Sequence, residues 1–224
     1  MTVLLVLLTF VMFATIDWAL RRRRVAVAET ALQPALAGAT PVAEPVFVAG
    51  YELPDGLHYH RGHTWARVAG PDTVVIGMDD FARRLTGTAD DVRLPNVGDW
   101  LPQGATAVHV ESKGRVAALV APVGGEVVEV NSAVEDQSRL ATDDPDGRGW
   151  LCKIRASNLG AQLRNLLDGQ LACRWTESAR DQLELRLMAL SGTVMQDGGR
   201  PAPDFADHVD PEAWRSLSAT FFLT

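Results

Sequence analysis

Apolar residues recur at every second position through the middle of the chain. The pattern is clearest on either side of Pro122-Val123-Gly124-Gly125, with Ala117, Leu119 and Ala121 before it and Val128 and Val130 after it. Period two is the period of a strand with one buried face, and the glycines and proline mark the turns. Ser112-Lys113-Gly114-Arg115 interrupts the same texture and predicts the tip of a β-hairpin within Val108 to Asn131. A lysine beside a glycine at a hairpin tip is held in water, where a modifying ligase reaches it and from which a swinging arm would extend.

The rest of the chain organises around that stretch. Residues 1–20 are apolar apart from threonines and Asp17, with Trp18 near the end, and Arg21-Arg22-Arg23-Arg24 follows at once. Twenty helical residues span roughly 30 Å, about the thickness of the hydrocarbon layer of a bilayer. With no basic stretch ahead of the apolar run, a single-pass transmembrane anchor is expected rather than a cleaved signal. The arginines behind it keep the remainder of the chain in the cytoplasm. Residues 21–50 form a basic flank and an Ala/Pro linker with prolines at Pro34, Pro41 and Pro45. From Tyr51 to Ile154 the texture is β, with a hairpin expected from Thr64–Val68 to Thr73–Ile76. A short helix, Asp80 to Leu85, is expected to be capped by Asp79 and ended by Gly87, and a strand is expected at Trp150 to Ile154. A helix capped by Ser157, with Leu159, Leu163, Leu166 and Leu167 on one face, is expected to stop at Gly169, closing a domain over 51–169. Residues 170–224 read as a helical C-terminal extension. Trp175, Ala179, Leu183, Leu187 and Leu190 fall at helical spacing, and a last helix opened by Asp210-Pro211 carries Trp214 and Leu217 ahead of Phe221-Phe222-Leu223. The aromatic stripe is expected to dock on the protein itself.

Composition narrows the function. With 47% apolar and 22% charged residues, the 224-residue chain is of globular type, and its net charge of -7 argues against a sequence-independent nucleic-acid binder. Cys152 and Cys173 lie at neither CxxC nor paired-ligand spacing and read as idle thiols, with a disulfide as the alternative. His58, His60 and His63 alternate as metal ligands on a strand do, but no cysteine or carboxylate stands at a matching spacing; no metal site is assigned and the question stays open. Asp79, Asp80, Asp90 and Asp91 read as helix capping and a solvated loop. No Gly-rich phosphate loop and no GxSxG nucleophile motif occurs, and no catalytic residue is assigned.

The motifs His63-Thr64-Trp65, Gly77-Met78-Asp79-Asp80-Phe81-Ala82, Leu94-Pro95-Asn96-Val97-Gly98 and Glu111-Ser112 follow one another in order. Ala121-Pro122-Val123-Gly124-Gly125-Glu126-Val127-Val128-Glu129-Val130-Asn131, Asp144-Pro145 and Gly149-Trp150-Leu151 come after them. In this order and spacing, from about Leu57 to Gly169, the chain resembles the H protein of the glycine cleavage system, a relative of lipoyl and biotinyl carrier domains. The resemblance implies a mainly β barrel-sandwich hybrid with short flanking helices. It also implies a carrier rather than an enzyme, with lipoate in amide linkage to a lysine at the hairpin tip and glycine cleavage enzymes as partners.

The family's run at the tip is typically Glu-Ser-Val-Lys-Ala, and counting back from Pro122 puts Gly114 at the lysine position, with Lys113 one residue early. Two readings follow. In one, Lys113-Gly114 forms the centre of a type II turn, the glycine takes the positive φ, and Lys113 carries lipoate and shuttles the aminomethyl group. In the other the attachment point is lost, because a one-residue shift in a strand sends a side chain to the opposite face; a non-lipoylated adaptor then recruits partners to the membrane. The displaced lysine and the anchor favour the adaptor. A membrane-fusion-type transport adaptor is the alternative from another class. It also joins an anchor to lipoyl-like β domains, but places them outside the cytoplasm and inserts a long helical hairpin between the lipoyl halves.

Overall fold

Short alternating runs broken by Gly, Pro and Asp fold as antiparallel strands, and the breakers fall between them. In a computed structural model of the chain, residues 46–191 and 209–223 are described, the side chains of residues 190 and 191 excepted. The apolar stretch 1–20 and the flank and linker to residue 45 lie outside the described residues. Among those described, no helix is long and apolar enough to cross a membrane.

Three antiparallel groups of strands result. A hairpin pairs β1 (Val46–Val48) with β2 (Tyr51–Leu53). A six-stranded sheet runs in the order β3-β4-β5-β11-β10-β7, formed by His58–His60, Thr64–Val68, Thr73–Met78, Cys152–Arg155, Gly125–Val130 and Trp100–Leu101. A three-stranded sheet runs β6-β8-β9, formed by Asp91–Arg93, Thr106–Ser112 and Arg115–Val120. Trp65, Ile76, Val127 and Ile154 of the larger sheet share one hydrophobic core with Val110, Ala117 and Leu119 of the smaller one. This mainly β arrangement fits the expected barrel-sandwich type.

Pro122 to Gly124 does not close a hairpin; it carries the chain from β9 in the small sheet to β10 in the large one. Gln162 secures the crossing, accepting from the N–H of Gly124 at 2.6 Å and donating to its carbonyl at 2.9 Å. Beyond it, Val127 is the fully buried residue, while Val128 and Val130, expected on the core face, are only partly buried. The register of β10 against β11 shifts between Val127 and Glu129, and such a bulge resets the alternation that the sequence pattern extrapolates.

The helices follow their caps. Asp79 Oδ1 accepts from the N–H of Ala82 at 2.7 Å to start α1 (Asp80–Thr86), and Gly87 ends it, as expected. Helices α2 (Ser132–Asp136) and α3 (Leu140–Asp143) are single turns. The helix expected from Ser157 to Gly169 is shorter. It is α4 (Leu159–Leu163), behind Asn158 with no side-chain cap, and the chain then extends so that Leu167 exchanges backbone hydrogen bonds with Tyr59 at 2.7 and 2.8 Å. Gly169, at φ +46, opens α5 (Gly169–Ser191) rather than ending its predecessor. The apolar leucines there serve a strand-like bridge as well as a helix, which periodicity alone does not separate. Strand β1 likewise begins inside the stretch read as linker, turning at Ala49-Gly50.

Helix α5 buries Ala172, Ala179, Leu183 and Leu187, and α6 (Pro211–Phe221) buries Ala213, Trp214, Leu217 and Phe221, with Phe222 just behind it. Both join the core of the sheets. Their junction is His63. Its Nδ1 lies 2.9 Å from Asp79, and its ring stacks on Phe81 with centroids 4.0 Å apart and meets the tilted rings of Trp175 at 4.5 Å and Phe221 at 6.0 Å.

One loop residue carries a measurable cost. Arg67 donates to the backbone carbonyl of Asp146, while the Asp146 Oδ1 is buried with no hydrogen-bond partner among the described residues. Burial, and then the carboxylates of Asp79, Glu52, Asp80 and Asp144, push this carboxyl up to about 7. The fold therefore favours the protonated form, and its contribution is lost as pH climbs from the ordinary carboxylate range to about 7. Asp146→Asn is expected to unfold like the parent at pH 4. Its advantage should grow to pH 7 and level off at about 2–4 kcal/mol, several degrees in Tm, measured by thermal melts across that range.

Candidate functional site at the hairpin tip

The pairing of β8 with β9 ends at Ser112 opposite Arg115, which leaves only Lys113 and Gly114 to turn the chain. Lys113 has φ +49 and Gly114 φ +75. Positive φ at both central residues is the mark of a type I′ turn, whose twist matches that of the strands it joins. The expected type II turn, with positive φ at the glycine alone, is not formed: its twist would splay a two-residue hairpin. Lys113 thus stands in the left-handed region that Gly and Asn enter easily and a lysine enters at a cost of about 1 kcal/mol.

A carboxylate from the neighbouring strand holds this conformation. The N–H of Lys113 donates to Asp90 Oδ2 at 2.6 Å, and the N–H of Asp90 donates to the carbonyl of Glu111 at 2.8 Å. Asp90 sits just ahead of β6, which pairs with β8 in the register Asp91 to Glu111. Arg93 reaches Asp91 at 3.2 Å and Glu111 at 3.5 Å on that side. On the other side the Arg115 guanidinium lies 6.0 Å over the ring of Trp214, whose indole N–H donates to the carbonyl of Val116 at 3.2 Å. Lys113 and Gly114 themselves are exposed.

The displacement of the lysine changes less than strand geometry suggests. Positions 113 and 114 are the two residues of one turn, so a shift between them moves the amine within the apex and not to the other face of a sheet. The same two-residue turn joins β8 to β9 directly, with no helical hairpin between them.

The other singled-out residues do not converge on this tip. His60 Nδ1 accepts from the N–H of Gly62 at 3.0 Å, His58 lies 3.7 Å from Asp168, and His63 is committed to Asp79. Burial, then the charge of Arg61 and the neighbouring His63, lower the pKa of His60. Among the described residues no group of three His, Cys, Asp or Glu side chains is arranged to hold a metal ion. Cys152 and Cys173 are free thiols, and burial pushes the Cys152 thiol up to about 12, which leaves it unreactive. Asp80 works structurally. Burial opposes its ionisation, but hydrogen bonds from Arg84 and the N–H of Glu52, with Arg83 beside it, hold its carboxyl below the usual range.

Two features of the site escape pattern reading. Asp90, read as part of a solvated loop, is the brace of the apex; its partner lies 23 residues away, and nothing local marks the pairing. The second was open to simple counting. Of the 21 basic residues only Lys113 and Lys153 are lysines, the remaining 19 being arginines. Lys153 is engaged in β11, 2.8 Å from Glu129 and 5.1 Å over the Trp150 ring, so a single lysine stands at an apex.

Comparison with known proteins locates the shared part of the chain. The sequence profile of the glycine cleavage H-protein matches residues 57–178. A probable glycine cleavage system H protein of Thermococcus gammatolerans is 37% identical over 131 residues, 58% of this chain and 97% of the relative. The glycine cleavage system H protein of Mycobacterium avium is 41% identical over 110 residues, 49% of this chain and 83% of the relative. The crystal structure of a glycine cleavage system H protein from Mycobacterium marinum aligns with 47% of this chain and 87% of its own at 34% identity, with a TM-score of 0.45.

The turn type has a direct consequence. Lys113→Asn places the residue type I′ turns prefer ahead of Gly114, and is expected to raise stability by about 0.5–1 kcal/mol, about 2–3 °C in Tm. Thermal unfolding checks it; an unchanged or lowered Tm would mean that residue 113 holds negative φ in solution.

Proposed function

Because the chain belongs to the glycine cleavage H-protein family, we propose that it is a lipoyl carrier attached through Lys113 and held at the cytoplasmic side of a membrane by residues 1–20. Proteins of this family are carriers, not enzymes: lipoate on a lysine supplies the redox and group-transfer chemistry, and the protein presents it. The observation that supports Lys113 is its place at the exposed apex of a two-residue turn, one of only two lysines in the chain. The apex meets the needs of an amide-linked arm. It projects past both strands, Asp90 pins its backbone, and the residue keeps a strained φ that asparagine would relieve. Strain observed at an exposed position supports a functional reading.

On this reading the tip of the β8–β9 hairpin visits the decarboxylase, aminomethyltransferase and dihydrolipoyl dehydrogenase of glycine cleavage. The hydrophobic run 1–20 with Arg21–Arg24 behind it keeps that traffic at the bilayer surface. A second reading, an adaptor whose tip is unmodified, draws support from α6, which stands against β9 one residue beyond the turn and narrows the approach to Lys113.

Intact mass of the protein from its native host, with peptide mapping across Lys113, separates the two. A lipoyl adduct on Lys113 is expected, retained in Lys153→Arg and absent from Lys113→Arg. An unmodified lysine, in cells whose other lipoyl proteins are loaded, would leave the adaptor.

A further inference from the structure

The shared domain and the helix that touches its tip are separate parts of this chain. The family match ends at residue 178, and the archaeal relative is covered over 97% of its length by 131 residues of this chain, so α6, at Pro211–Phe221, is an addition to the shared domain. It covers a particular surface. Among the described residues, β9 is the outer strand of its sheet, paired with β8 on one side only. An unpaired strand edge offers backbone groups to a partner. At the tip end of that edge the Trp214 indole N–H takes the Val116 carbonyl, and the ring packs against Arg115, the residue that follows the turn. At the far end Phe222 and Val120 both lie against Gly62, where an added Cβ would come within 2.6 Å of Val120 Cγ2 and 3.2 Å of the Phe222 carbonyl oxygen. An eleven-residue helix, about 16 Å long, therefore follows a six-residue strand, about 20 Å long, from one end to the other.

We propose that the outer edge of β9 beside Lys113 is the docking surface for the enzyme that acylates this lysine, and that α6 is its internal occupant, so that the enzyme reaches Lys113 only when the Trp214 end of the helix lifts. The inference rests on the carrier reading. An active site that encloses an amine at a two-residue turn also encloses the first residues of both strands, and on the β9 side those are the residues that Trp214 covers. The lift would start from that end. Leu217, Phe221 and Phe222 are the most fully buried residues of this segment, while Trp214, itself buried, ties the tip end to β9 through one hydrogen bond and one cation–π contact. Modification would then follow the fraction of molecules in which that end is lifted.

The test uses the full-length protein carrying Lys153→Arg, so that Lys113 is the only lysine, with a lipoate–protein ligase, lipoate and ATP. The amide forms between Lys113 Nζ and the lipoyl carboxyl carbon, ATP activates the carboxylate and leaves as AMP and pyrophosphate, and the amine gives up a proton. Adding Trp214→Ala is expected to speed Lys113 acylation about tenfold, the change that roughly 1.4 kcal/mol of lost docking brings. Trp214→Phe keeps an aromatic ring and loses the N–H bond; it is expected to fall between the two, and guards against misfolding of the alanine variant. Hydrogen exchange across residues 211–217 should rise in the same order. Equal acylation rates in all three proteins would overturn the gate and leave the carrier reading standing. No acylation in any of them would overturn the carrier reading, and the gate with it.

Discussion

The register of β8 against β9 governs the hairpin tip that carries Lys113. Once Ser112 is opposite Arg115, two residues must reverse the chain, and the right-handed twist of paired strands selects the turn with positive φ at both. That constraint puts Lys113 at an apex, strains its backbone, and calls for the brace that Asp90 supplies from the neighbouring strand. Ala49-Gly50, with φ +52 and +90, meets the same constraint between β1 and β2 and adopts the same conformation.

Behind the tip, the sheets and the two C-terminal helices meet at one buried histidine. His63 is tied to Asp79, the cap of α1, and its ring is layered among Phe81, Trp175 and Phe221. A histidine that looks from sequence like part of a ligand set is thus the junction through which α5 and α6 are seated on the sheets. The consequence reaches the tip, because α6 is held at its Phe221 end by this cluster and at its Trp214 end by β9. An H-protein-like domain has become one whose amine-bearing hairpin carries a neighbour from the same chain.

What periodicity could read, it read well. The β4–β5 hairpin, α1 with its Asp79 cap and Gly87 stop, and the tip at Lys113-Gly114 all lie where alternation and turn residues place them. The misreadings share a cause. Val127 replaces Val128 in the core because a bulge in the pairing with β11 shifts the phase. Leu167 leaves a helical face because Tyr59, more than a hundred residues earlier, offers it a bridge. Both depend on partners remote in sequence, which a local window does not contain.

The sequence by itself determined the family, the β texture, and the presence of one lysine in a tight turn, since these rest on composition, period-two alternation and motif order. Only the tertiary structure decided how that lysine is held. Strand twist chose a type I′ turn over type II, pairing with β6 brought Asp90 under its N–H, and packing laid Trp214 along β9 beside it. Each of these is a relation between segments far apart in the chain, set by which surfaces bury each other when the whole core closes.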